Sequence, residues 1–329
     1  MEKMFVSPVS LMGAGSLDQA GKKMQKLGME KSIIVTCKAI IESGLINELT
    51  DVLDKYGIRY IVYDKSRTDT DIGNVLEGVK LTLDYECDSV VSFGGNATRN
   101  CAKGISLLLE CDEDGEVCHS HAHLPLVAVN IANFMSDEMP IFVQDDKKIF
   151  IDRNSTPIIT VTDTNLLKGI SKEVIIALGI DSLNHSIESY LADDATPITD
   201  ACAYQAIKLL GENLEAIIDG DEDFERKEQL TYANYLAGIS YKNNILGHLY
   251  ADDVDETIHK AAAPQHNEFR NTFKFNKKLS EIVYALGKRP EEIEDHMMFV
   301  LDEMKRLAEK AGIPVAISRD ENIIFRKRK

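Results

Sequence analysis

The sequence predicts a parallel α/β domain followed by an all-helical domain. Short apolar runs alternate with segments of helical spacing in the first half of the 329-residue chain. That alternation is typical of a parallel sheet covered by helices on both faces. After residue 163 the strand signals stop and helical periodicity continues to the end. We therefore expect an α/β domain at residues 1–163, a helical domain at 164–329 and a cleft between them.

The apolar runs of the first half are short and rich in Val and Ile, as expected of buried strands. The predicted strands are 31–36, 60–63, 88–93, 124–129 and 158–163. Helical spacing predicts helices at 45–56, 72–85, 102–109, 172–191, 199–218, 221–243, 279–286 and 292–310. The polar segments 113–122 and 252–275 are predicted to be loops.

The composition excludes several classes of function. The chain has 37 Lys and Arg against 54 Asp and Glu, so its net charge is −17 and it would repel nucleic acid. It contains no run of about 18 apolar residues, which a membrane span needs, and its start does not resemble a secretory signal. Six Cys without a CxxC pair are too few for a disulfide scaffold. We expect a cytoplasmic protein that acts on small molecules or on other proteins.

Two glycine pairs lie where a ligand could approach the backbone. Gly94 and Gly95 follow the third predicted strand and precede a helix, whose free N–H groups can bind phosphate. A tight structural turn is an equally good explanation of this pair. Gly13 and Gly15 are ambiguous in the same way, and Ser16 is a predicted N-cap for the helix that follows.

Histidine and aspartate residues suggest two possible metal sites. Asp181 and His185 are four residues apart on a predicted helix, which places both side chains on one face, close enough to share a cation. An ordinary polar contact is the alternative. A further His group (His248, His259 and His266) follows along the chain. The tract HSHAH at 119–123 could also bind a metal, or be a solvated loop edge.

In order and spacing, several segments resemble the iron-containing alcohol dehydrogenase family, whose superfamily includes glycerol dehydrogenase and dehydroquinate synthase. The segments are GAGSLDQAGKKMQKLGMEKSIIVT at 13–36, DSVVSFGGNATRNCAKGI at 88–105, LPLVAVN at 124–130, TPIITVTDTNLL at 156–167, GIDSLNHSIESYLADDATPITDACAYQAIKLLGENL at 179–214 and YANYLAGISYKNNILG at 232–247. The resemblance covers roughly residues 5–250.

The resemblance implies a dehydroquinate synthase-like fold, with a nucleotide-binding domain and a metal-binding helical domain. It implies that NAD or NADP and a divalent metal, iron or zinc, are bound, and that hydride moves to or from a small alcohol or aldehyde. Asp181 and His185 fall on the first two metal-ligand positions. The predicted cofactor-binding residues are Gly94, Gly95, Asn96, Lys103, Asn133 and Phe134. It also implies a homo-oligomer, or association with a related active enzyme.

The chain departs from the family pattern in both cofactor loops. The family's Gly-Gly-Gly-Ser stretch is Gly94-Gly95-Asn96-Ala97 here, and Asn100 replaces an Asp. In the second loop Phe134 and Ser136 replace two glycines, and Asp137 adds a negative charge. In the family an acidic residue often follows the first strand, and Cys37 takes that place here, after the predicted strand 31–36. We therefore expect side chains to occupy space that the dinucleotide needs.

The metal site departs from the pattern as well. Tyr250 occupies the third ligand position, and His248 lies two residues earlier, about 200° around a continuing helix. The fourth ligand position corresponds best to His266, in Pro264-Gln265-His266. Two hypotheses follow. In the first, the chain keeps the fold but has impaired or lost hydride transfer and serves in binding or assembly. In the alternative, it is an active enzyme whose site is completed by His248, His259 or His266.

Overall fold

The computed structural model describes the chain in two compact units, which are divided between Ile170 and Ser171. The described residues are 7–66, 72–108, 110–111, 117–118, 123–131, 141–144, 148–151, 153–192, 195–249, 273–313, 315–317 and 323–325. A short 3-10 helix, Thr164–Gly169, belongs to the first unit.

The first unit is built on a parallel sheet. Its strands are β1 (Ser10–Met12), β2 (Lys31–Val35), β3 (Arg59–Tyr63), β4 (Ser89–Gly94), β5 (Glu110–Cys111), β6 (Val117–Cys118), β7 (Leu126–Asn130), β8 (Ile141–Gln144), β9 (Lys148–Ile151) and β10 (Ile159–Thr162). Six of them form one sheet in the order β1-β10-β7-β4-β2-β3, and every neighbouring pair is parallel. The pairs β5–β6 and β8–β9 are antiparallel. The predicted parallel sheet is confirmed.

Helices cover both faces of this sheet. They are α1 (Ser16–Lys26), α2 (Lys38–Glu42), α3 (Ile46–Lys55), α4 (Ile72–Asp84) and α5 (Asn96–Ser106). Because successive strand residues point to opposite faces, Ile34 and Val91 pack with α1 and α3, while Ile33 and Val90 pack with α4 and α5. All four side chains are fully buried. Burial on both faces explains why these strands are continuous apolar runs.

The second unit is mainly helical. It contains α6 (Lys172–Leu191), α7 (Pro197–Ile218), α8 (Phe224–Leu249), α9 (Phe273–Ala285) and α10 (His296–Lys310). An antiparallel pair, β11 (Val315–Ile317) with β12 (Ile323–Phe325), was not predicted, because three-residue strands are too short to show a period. In addition, α9 begins at Phe273, within the segment 252–275 that was predicted to be a loop.

Helix ends in this unit follow local signals. The predicted helix 172–191 is confirmed, and the hydroxyl of Ser171 caps it by accepting from the Val174 N–H. A capping box of Thr196 and Thr199, with Pro197 in the first turn, starts α7. Among the helices of the described residues, none combines the length and apolar character that a membrane span needs.

Candidate functional site

The strand order of the parallel sheet has a switch point between β2 and β4. The chain runs from β2 outward to β3, and then returns past β2 to β4 and on to β7. In open α/β sheets, ligands bind in the crevice beyond the carboxyl ends of strands at such a point. Here those ends carry Thr36, after β2, and Gly94, the last residue of β4.

The two glycines at the end of β4 have different surroundings. A Cβ on Gly94 would lie 2.7 Å from Thr98 Oγ1 and 2.9 Å from Thr98 Cβ, so this position needs glycine for packing. A Cβ on Gly95 would meet nothing within 4 Å. Gly95 is the N-cap of α5 and makes no side-chain cap, so this helix end offers open backbone to a ligand. The tight-turn explanation therefore suits Gly94, and the ligand explanation suits Gly95.

Hydroxyl groups link the ends of β2 and β4. Thr36 Oγ1 donates to the Phe93 carbonyl at 2.9 Å. Ser66 Oγ donates to the Thr36 carbonyl at 2.7 Å and lies 3.0 Å from Thr98 Oγ1. These bonds fix the carboxyl ends of both strands beside the switch point.

A buried arginine, which no local sequence pattern indicated, lies at the same edge. Arg99 is 1% exposed, and its guanidinium donates to the side-chain oxygens of Asn130, at the end of β7, and Asn96, at the start of α5. Asn130 in turn donates to Thr162 Oγ1, at the end of β10, at 3.3 Å. We call Thr36, Asn96, Thr98, Arg99 and Asn130 the strand-end cluster.

The predicted cofactor residues differ in what the structure describes. Asn96 is exposed in the first turn of α5. Lys103 is 1% exposed and lies seven residues further along α5, about 10.5 Å along the axis. Its ammonium group is thus enclosed by protein. Asn133 and Phe134 lie outside the described residues.

The loop of Gly13 and Gly15 is occupied by a carboxylate of the chain itself. Asp163, just after β10, accepts from the Gly15 N–H at 3.2 Å and the Leu17 N–H at 2.9 Å. The prediction that Ser16 caps α1 is wrong: Gly15 is the N-cap and makes no side-chain cap. The reason is tertiary, because Asp163 supplies the acceptor that these N–H groups need.

Asp181 and His185 lie on one face of α6, as predicted. His185 Nδ1 is 3.6 Å from Asp181 Oδ2, which is too far for a hydrogen bond. This nitrogen is buried and has no hydrogen-bond partner among the described residues. Two ligands about 2.1 Å from a tetrahedral ion would themselves be roughly 3.4 Å apart. The spacing of this pair therefore fits two adjacent ligands of a cation.

A side chain that no local sequence pattern indicated packs against this pair. Tyr241 of α8 places its ring centroid 4.2 Å from that of the His185 imidazole, with 51° between the planes. Burial, together with the negative charges of Glu188 and Asp181, raises the pKa of Tyr241 to about 12. The phenol is therefore neutral at ordinary pH.

The other predicted metal ligands are not described. His248 lies in the last turn of α8, and its side chain is outside the described residues, as are Tyr250, His259 and His266. His119 and His121 are likewise outside, and His123 is exposed. Within the described ranges, no group of three His, Cys, Asp or Glu side chains is close enough to hold a metal.

Comparison with known families places this chain. Residues 8–132 match the family described as iron-containing alcohol dehydrogenase, and residues 175–254 match the Fe-containing alcohol dehydrogenase family, C-terminal. The first match includes the strand-end cluster and the second includes Asp181, His185 and Tyr241. The chain belongs to the iron-containing alcohol dehydrogenase family.

Individual relatives agree with this placement. Alcohol dehydrogenase 4 of Schizosaccharomyces pombe is 33% identical over 75% of this chain and 61% of its own length. Alcohol dehydrogenase 4 of Saccharomyces cerevisiae is also 33% identical, over 75% of this chain and 68% of its own length. The NAD-dependent methanol dehydrogenase of Bacillus methanolicus is 31% identical, with the same two shares. The chain thus spans about two thirds of the length of these relatives.

Solved structures show the same fold. A 1,3-propanediol oxidoreductase has a TM-score of 0.77 and 24% identity, covering 95% of this chain and 88% of its own. The alcohol dehydrogenase from Oenococcus oeni has a TM-score of 0.78 and 23% identity, with the same shares. At this identity the likeness concerns the fold.

Proposed function

We propose that this chain is a metal-dependent oxidoreductase that transfers hydride between NAD or NADP and a small alcohol or aldehyde. The observation that carries this proposal is the pair of Asp181 and His185, with its 3.6 Å spacing and a buried Nδ1 that has no partner among the described residues. Relatives named as alcohol, methanol and 1,3-propanediol dehydrogenases support the substrate class.

The donor set fits a divalent ion. A carboxylate and an imidazole are ligands that iron and zinc accept, and a buried nitrogen without a donor or acceptor is costly unless something binds it. Such an ion, when bound, would polarise the substrate oxygen. We propose His248 and His266 as the remaining ligands. Of the described residues, Asp181 would hold the ion through a charged oxygen and His185 through a neutral nitrogen.

The cofactor residues fit a phosphate group at one position. Gly95 leaves the backbone open at the N-terminus of α5, and the buried guanidinium of Arg99 lies one turn into that helix. Both features attract an anion. We propose that Gly94, Gly95 and Asn96 lie beside the cofactor phosphates, with Asn133 and Phe134 in the second cofactor loop. Lys103, enclosed in α5, would contribute charge rather than a direct bond.

A second candidate function is a family member with impaired or lost hydride transfer that serves in binding or assembly. The contact between Asn96 and Arg99 favours it. This contact holds a side chain at the helix end where the family loop has glycine, and a side chain there competes with a phosphate for space. Under this candidate the chain would associate with a related active enzyme.

Two measurements decide between these functions. Metal analysis of the purified protein should give near-stoichiometric iron or zinc for the oxidoreductase, and calorimetric titration with NADH and NADPH should give micromolar binding. His185→Ala should then abolish metal retention. If neither cofactor nor metal binds, the oxidoreductase proposal fails and the binding or assembly function stands.

We also propose a homo-oligomer and a cytoplasmic location. Family resemblance supports the first. The sparse cysteines of the sequence, too few for a disulfide scaffold, support the second. Light scattering of the purified chain measures the oligomeric state directly.

A further inference from the structure

Among the described residues, the His185 imidazole lacks the contact that usually orients a metal-binding histidine. Such a histidine commonly donates its second ring N–H to a carboxylate, a backbone carbonyl or a water, and this bond fixes the ring. Nδ1 is the nitrogen placed to bind a cation with Asp181, so the orienting bond would come from Nε2, and the described structure shows no hydrogen bond at either nitrogen. Hydrogen bonding with described residues therefore does not set the orientation of this ring.

The ring of Tyr241 is in a position to set it. Its centroid lies 4.2 Å from the imidazole centroid, and the planes are tilted by 51°. This separation is slightly shorter than the range of about 4.5–7 Å that aromatic pairs favour, so the two rings are in tight contact. Rotation of the imidazole about its χ2 angle would bring its edge against the tyrosine ring.

We propose that Tyr241 is a positioning residue that holds the His185 imidazole, by ring packing from α8, in the orientation in which His185 and Asp181 can bind one divalent cation. The claim that His185 and Asp181 bind a cation rests on the proposed function, whereas the packing of the two rings is independent of it.

The aromatic ring, rather than the hydroxyl, is the active part of Tyr241. The contact that the structure shows joins the Tyr241 ring to the imidazole ring, with 4.2 Å between their centroids. Phenylalanine keeps this ring and lacks only the hydroxyl. Phenylalanine at this position should therefore preserve the effect, whereas a non-aromatic side chain of similar bulk should not.

The experiment compares four variants with the intact chain. Tyr241→Phe keeps the ring, while Tyr241→Leu and Tyr241→Met remove it and differ in the space they leave. Tyr232→Leu is the matched control, because Tyr232 is also a half-buried tyrosine of α8 and has no ring contact with His185 among the described residues. Circular dichroism checks that each variant is folded.

Two quantities are measured for each variant. The first is titration with Co²⁺ by its visible absorption, where Tyr241→Leu and Tyr241→Met should weaken binding about 10- to 100-fold. Tyr241→Phe and Tyr232→Leu should stay within about twofold. The second is the set of NOE contacts between the His185 ring protons and neighbouring side chains other than residue 241, in metal-free protein. These contacts should be the same in the intact chain and in Tyr241→Phe, and should change in Tyr241→Leu and Tyr241→Met.

The outcomes separate the two ideas. If the intact chain binds no Co²⁺, the proposed metal function fails, and the NOE contacts alone decide whether Tyr241 orients His185. If Tyr241→Leu and Tyr241→Met keep the NOE contacts of the intact chain, or bind Co²⁺ as the intact chain does, the positioning role is overturned. A loss in Tyr241→Phe equal to that in Tyr241→Leu would also overturn it, because the hydroxyl would then be the operative group.

Discussion

At the carboxyl edge of the sheet, Arg99 is 1% exposed and hydrogen bonded to Asn96 and Asn130. On α6, the side chain of Asp181 is 50% exposed and lies 3.6 Å from His185, beyond hydrogen-bond reach. The Arg99 guanidinium is enclosed in protein and bonded at the end of β7 and the start of α5, whereas the Asp181 carboxylate is half open to solvent. Removing one partner of a buried, bonded charge is strongly destabilising, whereas an exposed charge contributes little to stability.

The two regions should therefore respond differently to mutation. Changes in the strand-end cluster should alter stability and ligand binding together. Changes at Asp181 should alter ligand binding alone. Four substitutions test this difference, from the largest to the smallest expected change in the free energy of unfolding.

The largest effect is expected from Arg99→Met. The substitution removes the guanidinium and leaves the buried side-chain oxygen of Asn130 without its donor, which costs about 3 kcal/mol of unfolding free energy. Urea unfolding followed by circular dichroism measures the change.

The matched control for Arg99 is Arg59→Met. Arg59 is exposed at the start of the edge strand β3, so this change should stay within about 0.5 kcal/mol. Equal losses of unfolding free energy in both variants would show that the buried guanidinium contributes no more to stability than an exposed one.

A smaller effect is expected from Gly94→Ala. The added methyl group would lie 2.7 Å from Thr98 Oγ1, so Thr98 must shift, at a cost of about 1–2 kcal/mol. Gly95→Ala is the matched control, since its methyl group meets nothing within 4 Å. Thermal unfolding should separate the two variants, and Thr98→Ala combined with Gly94→Ala should recover part of the loss. A full-sized loss in Gly95→Ala would contradict the different roles of these glycines.

Local patterns in the sequence predicted the fold and half of the candidate site. The apolar strands are continuous because both faces of the sheet are covered, and the helical spacing of residues 172–191 predicted α6 with its observed bounds. Asp181 and His185 were found for a local reason too, since a spacing of four residues puts them on one helix face.

Arg99 and Tyr241 could not be found in this way. Arg99 depends on Asn130, which is 31 residues away in sequence, and Tyr241 reaches His185 from a different helix. No local periodicity reports such tertiary contacts. The prediction that Ser16 caps α1 is wrong for the same reason. The acceptor for the N–H groups of Gly15 and Leu17 is Asp163, which is distant in sequence. The roles of Asn133, Phe134, His248 and His266 stay predictions.

A still smaller effect is expected from Glu215→Gln, an exposed counterpart within the helical unit. Arg306 binds the Glu215 carboxylate through two bonds of 2.6 and 2.9 Å, and Lys310 binds it at 2.7 Å. Hydrogen bonds from Arg306 and Lys310 lower the pKa of Glu215 to about 2. The carboxylate therefore stabilises the folded chain fully above pH 4.5, and this contribution is lost as the pH falls toward 2.

Because Glu215 is 43% exposed at its side chain, solvent screens the interaction to about 0.5–1 kcal/mol. Glu215→Gln should lower stability by that amount at pH 7 and flatten its decline between pH 4.5 and 2. Urea unfolding across this pH range measures both effects, with Glu291→Gln as the exposed control. An unchanged pH dependence in Glu215→Gln would assign the acid sensitivity to other carboxylates.

The smallest change in stability, at most about 0.5 kcal/mol, is expected from Asp181→Asn, since its side chain is half exposed and makes no hydrogen bond with His185. The same change removes the only negative charge of the pair, so Co²⁺ binding should weaken at least 10-fold. Asp302→Asn, at an exposed carboxylate in the middle of α10, should alter neither quantity. Urea unfolding and Co²⁺ titration on the same samples give both numbers. A loss of stability that matches the loss of cation binding would erase the contrast with the strand-end cluster, because binding and folding would then be coupled in both regions.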